Sequence, residues 1–419
     1  MSERPSGRQS RPGPGGSRAR KTPARGAHAR VDGRSRSGTG RERTGTARRA
    51  PAPPRRRIHP AVLFGGVIVV AVALLLVHRV HPASTPTVAK RPAPVHYSVG
   101  TVRCTFVDLS RSTKHYGSGA ITPGRTLVTE IRYPTISPMH GVQETQSANP
   151  ARRHGPFPLV IFAHGYDLTP DTYRNLLDVW VKAGFVVAAP LFPDTNQGSV
   201  DALGKVFAPE ADDANQPGDV AFVIKRALAD ATAPQSECPI LDGLLRPGGA
   251  AITGQSDGAV TVGALAYGAA YQVPGTPIRA VISLSGGTYP APSGKPTPYA
   301  SVAGGPPLLV TQSASDTCNP PQNSIALYDA VDQRRKWFFE INQANHLPPY
   351  TGSLPAQRPA FDAVATVTKT FLSDVFSGKA ITHKFLTIGN LHPTVAHLTT
   401  GAAPTLPTLS MLPSTCYVN

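Results

Sequence analysis

Ala250-Ala251-Ile252-Thr253-Gly254-Gln255-Ser256-Asp257-Gly258-Ala259-Val260-Thr261-Val262 carries the strongest structural signal in the chain. Its first four residues make a short apolar run of strand type, and residues 259–266 have the composition of a buried helix. A serine between two glycines at such a junction is the sequence form of a nucleophile elbow. The turn forces unusual backbone angles on the serine and draws strand and helix together. The residues two before and two after it must therefore lack bulk, and Gly254 and Gly258 stand at those places. The five-residue pattern is short enough to arise by chance in a glycine-rich chain, so its surroundings decide its meaning.

On both sides of this turn, from about residue 97, apolar strand runs alternate with helical periods. That alternation predicts an α/β fold, with a mostly parallel central sheet and helices on both faces. Strands are expected at 101–107 and 125–133, hairpin-paired at the sheet edge, and at 158–163, 185–190, 250–253, 279–284, 307–311 and 336–341. The run at 158–163 is continuously apolar, as a strand buried on both faces requires. A helix follows it, with Thr169 as N-cap, Pro170 at the first helical position, Asp171 in the first turn and Gly184 beyond the end. Tyr173, Leu176, Leu177, Trp180 and Val181 recur at helical spacing and form its buried stripe. A further helix is expected at 219–228.

A serine hydroxyl needs a histidine to take its proton and an acid to orient the imidazole. On such a sheet these groups belong at the C-terminal ends of strands. Asp316 lies five residues past Thr311, and His346 five past Ile341, giving the order Ser, Asp, His along the chain. His383, His392 and His397 follow the last expected core strand, and Asp329 and Asp332 fall on a helix between strands, so all five fit less well. The oxyanion of a tetrahedral intermediate needs two N–H donors. The backbone N–H of Asp257, just after the serine, supplies one. The backbone of Tyr166, in the His164-Gly165-Tyr166 loop after the 158–163 strand, supplies the other. His164 is read as shaping that loop.

Residues 160–190, with their strand, His-Gly-Tyr loop, helix and Gly184-Phe185-Val186-Val187 restart, resemble the bacterial cutinase-like polyester hydrolases. Related platelet-activating-factor acetylhydrolases and chlorophyllase or dienelactone-hydrolase-like enzymes share the pattern. The Gly254–Gly258 elbow, the Ser315-Asp316-Thr317 and Asn345-His346 turns and Gln216-Pro217-Gly218-Asp219-Val220 extend the resemblance over about residues 100–375. It implies an α/β-hydrolase acting on carboxylic esters through Ser256, Asp316 and His346. The group usually has His before the serine and a second glycine after Ser-x-Gly, where this chain has Gln255 and Ala259. The loops at 286–305 and 192–217 leave the same sheet edge and are expected to border the pocket and set substrate choice.

Residues 1–57 hold seventeen Lys plus Arg against three acids, so they carry +14 of the chain's formal +17. With few large apolar side chains they cannot bury enough surface to fold, and 1–58 reads as a disordered Arg-rich cytoplasmic tail. The uncharged run at 61–77 lies within an expected transmembrane signal anchor at 59–80. Arg55-Arg56-Arg57 before it, against Arg79 alone after it, orients the N-terminus to the cytoplasm. Proline-rich 81–96 is a stiff linker, and 97–419 is the catalytic domain, on the outer side of the cell membrane. The tail is expected to lie on anionic lipid; no motif points to specific nucleic-acid binding. Cys104, Cys238, Cys318 and Cys416 all follow the anchor, where two disulfides in any of three pairings are expected.

These features lead to a membrane-anchored serine esterase or lipase that needs no cofactor or metal. An acyltransferase of the cell envelope on the same triad, and a non-catalytic envelope-binding protein on the same fold, are the alternatives. Products formed with an alcohol acceptor separate the first, and failure of a fluorophosphonate to label the protein marks the second.

Overall fold

The structure is a computed structural model. It describes residues 95–115, 118–136, 144–204, 212–233, 236–289, 299, 305–332, 334–378, 385, 387 and 394–417. The expected tail, membrane anchor and most of the linker therefore lie outside the described residues, as do His383 and His392. Among the described residues no helix is long and apolar enough to cross a membrane.

The strands are β1 (Ser98–Asp108), β2 (Thr113–Lys114), β3 (Ile121–Thr122), β4 (Arg125–Thr135), β5 (Glu144–Gln146), β6 (Phe157–Ala163), β7 (Val186–Pro190), β8 (Leu245–Gln255), β9 (Ile278–Leu284), β10 (Leu308–Ser313), β11 (Lys336–Ile341) and β12 (Ala396–Thr400). All but β2 and β3, which pair with each other, lie in one sheet of order β12-β11-β10-β9-β8-β6-β7-β4-β1-β5. From β7 to β11 every pairing is parallel, and β4 and β12 join antiparallel at the two flanks. The fold is thus α/β with a mixed, mostly parallel sheet. The β1–β4 hairpin forms as expected, but short β5 lies outside it. β12 closes the opposite edge and carries His397, whose Nε2 is 2.9 Å from Glu340 on β11. His397 thus belongs to the sheet edge.

The helices are α1 (Arg174–Lys182), α2 (Gln197–Ala202), α3 (Gln216–Asp230), α4 (Asp257–Tyr267), α5 (Pro321–Ala330), α6 (Pro348–Thr351) and α7 (Arg358–Ser377). They cover both faces of the sheet because alternate residues of each buried strand serve opposite cores. On β6, Leu159 and Ile161 pack into the core of α3, α4 and α5. Val160 and Phe162 pack into that of α1 and α7. The expected stripe of α1 is wholly buried, with Phe162 against Tyr173 and Trp180, and Trp180 Nε1 donates to Thr368 Oγ1 of α7 at 3.0 Å. Thr169 does not cap with its side chain; Pro170–Tyr173 form a 3₁₀ turn that feeds α1. Asp332 lies just past the end of α5, whereas Asp329 is on it.

Two buried arginines tie distant segments together. Arg125 donates to Asp219 at 2.6 Å and to Asp212 at 2.8 Å, and is fully enclosed. Arg132 donates to Asp178 of α1 at 2.8 Å and to Glu144 of β5 at 2.7 Å. The disulfides are Cys104–Cys238 and Cys318–Cys416.

Candidate active site

The parallel strands all end on one rim, and the chemically capable side chains collect there. β8 delivers Ser256 into a backbone geometry of φ 56° and ψ −122°, a region that non-glycine residues rarely enter. The turn is held by the Ser256 N–H donating to Leu284 O of β9 at 3.0 Å. Both flanking glycines are required by contact. A Cβ on Gly254 would run into the Gly258 backbone, and one on Gly258 into the Ala163 and His164 carbonyls. The chain therefore passes from strand to helix within van der Waals contact of β6, and Ser256 caps α4 directly.

Asp316 and His346 stand on the turns after β10 and β11, with His346 Nδ1 2.7 Å from Asp316 Oδ2. Asp316 is buried and well supplied with donors. Its Oδ1 accepts from the backbone N–H groups of Cys318 at 3.0 Å and Asn319 at 2.9 Å. Its Oδ2 also accepts from the Ser285 hydroxyl at 2.6 Å. Burial opposes the charge, but the adjacent His346 and these donors outweigh it and hold the carboxyl below its ordinary value. Ser285 has φ 51° at the end of β9 and is itself pinned by Asn319 Nδ2, which donates to its carbonyl at 2.7 Å. Neither residue stands out in the sequence, because a serine and an asparagine in polar turns look like ordinary turn formers.

Ser256 and His346 line the same cavity, together with Tyr166 and Asp257. No hydrogen bond joins the Ser256 hydroxyl to the ring in this conformation. His346 Nε2 instead faces the side-chain nitrogen of Gln255 at 2.9 Å. The hydrogen-bond chain behind it fixes which atom is the donor. The Gly165 N–H donates to the Tyr173 oxygen at 3.2 Å, and the Tyr173 hydroxyl donates to Gln255 Oε1 at 2.7 Å. With its oxygen taken, Gln255 presents its NH₂ to His346, whose Nε2 accepts while Nδ1–H points to Asp316. The expected elbow, acid and histidine are thus brought to one rim, but the residue before the serine holds the proton-accepting nitrogen. Position alone could not reveal this, since elbow geometry constrains the glycines and leaves Gln255 unconstrained.

His164 takes no part in this. Its Nε2 accepts from the Phe192 N–H at 3.0 Å and its Nδ1 donates to Gly165 O at 2.8 Å, so the neutral tautomer is fixed on both sides. Complete burial lowers its pKa to about 4. It shapes the loop that carries Tyr166, as its sequence position implies. Gly165 lets this loop lie against the elbow: a Cβ there would meet Gln255 Oε1 at 2.8 Å and the Ser256 Cβ at 3.2 Å. The amide of Asp257, first residue of an eleven-residue helix, points out of the helix N-terminus, where the dipole favours negative charge.

The described parts of 192–217 and 286–305, expected to border the cavity, do not line it. Leu168, Cys318 and Asn319 do, with Met411, Cys416 and Tyr417 from the end of the chain. Among the described residues no group of three or more His, Cys, Asp or Glu is arranged to hold a metal ion.

No protein-family model and no curated protein matches the chain. Among solved structures it is similar to a ferulic acid esterase from Streptomyces cinnamoneus, at 17% sequence identity over 70% of this chain and 92% of that chain, with a TM-score of 0.49.

Proposed function

We propose that the chain is a serine hydrolase of carboxylic esters, with Ser256 as nucleophile, His346 as general base and acid, and Asp316 as the group that orients the imidazole. The observation that carries this reading is a serine in a strained strand-to-helix turn opening on the same cavity as a histidine paired to a buried carboxylate at 2.7 Å. Ser256 Oγ attacks the ester carbonyl carbon as its proton passes to His346 Nε2, which first gives up the Gln255 amide. The Asp316 carboxylate stabilises the resulting imidazolium. The oxyanion is received by the backbone N–H groups of Tyr166 and Asp257 and by the N-terminus of α4. As the tetrahedral centre collapses, the carbon–oxygen bond to the alcohol breaks and His346 Nε2–H protonates the departing oxygen. Water then attacks the acyl-enzyme with His346 again as base, releasing the acid and free Ser256.

The same proposal sets the domain outside the cell membrane, held by a transmembrane anchor at 59–80 with the Arg-rich tail against anionic lipid. Two disulfides in the described residues suit an oxidising compartment. Hydrolysis of a p-nitrophenyl ester series by the full chain and its Ser256→Ala variant tests the chemistry. A loss of about a thousandfold or more in the variant is expected, and equal rates in the two proteins would overturn it.

A further inference from the structure

The C-terminal segment is fastened beside the cavity and contributes Met411, Cys416 and Tyr417 to its wall. It follows β12, has no regular structure until a 3₁₀ turn at Pro413–Thr415, and is fixed to the turn that carries Asp316 and to the start of α5. The Leu412 N–H donates to Thr317 O at 2.7 Å, and the Thr317 and Thr415 hydroxyls are 2.9 Å apart. Gln322 Nε2 donates to Leu409 O at 2.7 Å. The Cys318–Cys416 disulfide fastens the segment two residues beyond Asp316. Met411 and Tyr417, 55% and 42% exposed, line the cavity that holds Ser256 and His346. The cross-link and these hydrogen bonds together hold both side chains at this rim.

The cavity has a volume of about 100 Å³ and is partly open to solvent. An apolar cavity of about 150 Å³ holds a benzene-sized guest, so this space takes about four heavy atoms. The alcohol half of an ester must depart after the first step, while the acyl half stays bonded to the serine until water arrives. The wall formed by Met411 and Tyr417 therefore suits the acyl group, which must stay while the alcohol leaves.

Resting on the esterase reading above, we infer that the disulfide-fastened segment 409–417 is the acyl-length gate of this site, with Met411 and Tyr417 as the residues that restrict it to esters of short acyl groups.

The test uses the full chain and p-nitrophenyl esters from acetyl to dodecanoyl, comparing kcat/KM across wild type, Met411→Ala, Tyr417→Ala and Cys416→Ser. Tyr417→Ala and Met411→Ala leave the cross-link intact, so a folding defect in Cys416→Ser does not decide the outcome. In wild type kcat/KM is expected to fall by about tenfold or more beyond acyl groups of about four carbons. The octanoyl-to-acetyl ratio is expected to rise by about tenfold in the variants. Wild-type rates that do not decline with acyl length, or a ratio unmoved in Tyr417→Ala and Met411→Ala, overturn the gate and leave ester hydrolysis standing. Absence of hydrolysis for every ester, with no fluorophosphonate labelling of Ser256, overturns the esterase reading itself and the gate with it.

Discussion

Removing the Gln255 amide tests whether that group competes with Ser256 for His346. In Gln255→Ala the Nε2 atom loses the donor that lies 2.9 Å away, and the Ser256 hydroxyl becomes its natural partner. A neutral hydrogen bond contributes about 0.5–1.5 kcal/mol, so freeing the ring accelerates attack by Ser256 about two- to twelvefold. Stability moves the other way. The fully buried Tyr173 hydroxyl loses its acceptor, and stranding such a group costs about 1–3 kcal/mol. The assay is the pseudo-first-order rate of fluorophosphonate labelling, followed by intact mass, beside a urea unfolding curve on the same protein. A faster reaction in a less stable protein is the expected pair of results. A labelling rate lower by about fivefold or more in a protein that keeps its circular dichroism would mean that Gln255 aligns the ring rather than occupying it.

Gly258→Ala drives a methyl group into the Ala163 carbonyl, where only backbone can give way. A loss of about 3 kcal/mol or more by urea melt, or no soluble protein, is expected. Arg125→Met leaves Asp219 and Asp212 without the guanidinium that both now share, and unfolding free energy should drop by about 3–5 kcal/mol. The acid limb of the stability profile should depend on Asp316. Its folded pKa is depressed, so its contribution is complete above the unfolded value of about 3.9 and is lost as pH falls through the folded one. Urea midpoints measured from pH 6 down to about pH 3 should therefore fall less steeply in Asp316→Asn than in wild type, and parallel curves would contradict the assignment.

The parts of the molecule legible in the sequence are those set by local stereochemistry. Gly254 and Gly258 announce a turn because no other residue fits it, and the apolar run at 158–163 announces a strand covered on both faces. The turns after β10 and β11 put Asp316 and His346 on the same rim simply because parallel strands end together. What escaped reading depends on partners far along the chain. Nothing local marks Arg125 as buried, since its carboxylates are 94 and 87 residues away. β12 is short and polar, and it becomes a strand only by pairing with β11. The end of the chain has no periodicity at all, and four cysteines allow three pairings, so its place beside Ser256 had no local signal. Gln255 escaped for a different reason: its role is set by Tyr173 on another element, whose hydroxyl decides which end of the amide faces His346.

The most direct measurement is the site and rate of fluorophosphonate modification on the full chain, read by peptide mass spectrometry in wild type and in His346→Ala. A single adduct on the peptide carrying Ser256 is expected, formed about a thousandfold more slowly without the histidine. An adduct on another residue, or one on Ser256 that forms at the same rate in both proteins, would contradict the assignment of Ser256 and His346.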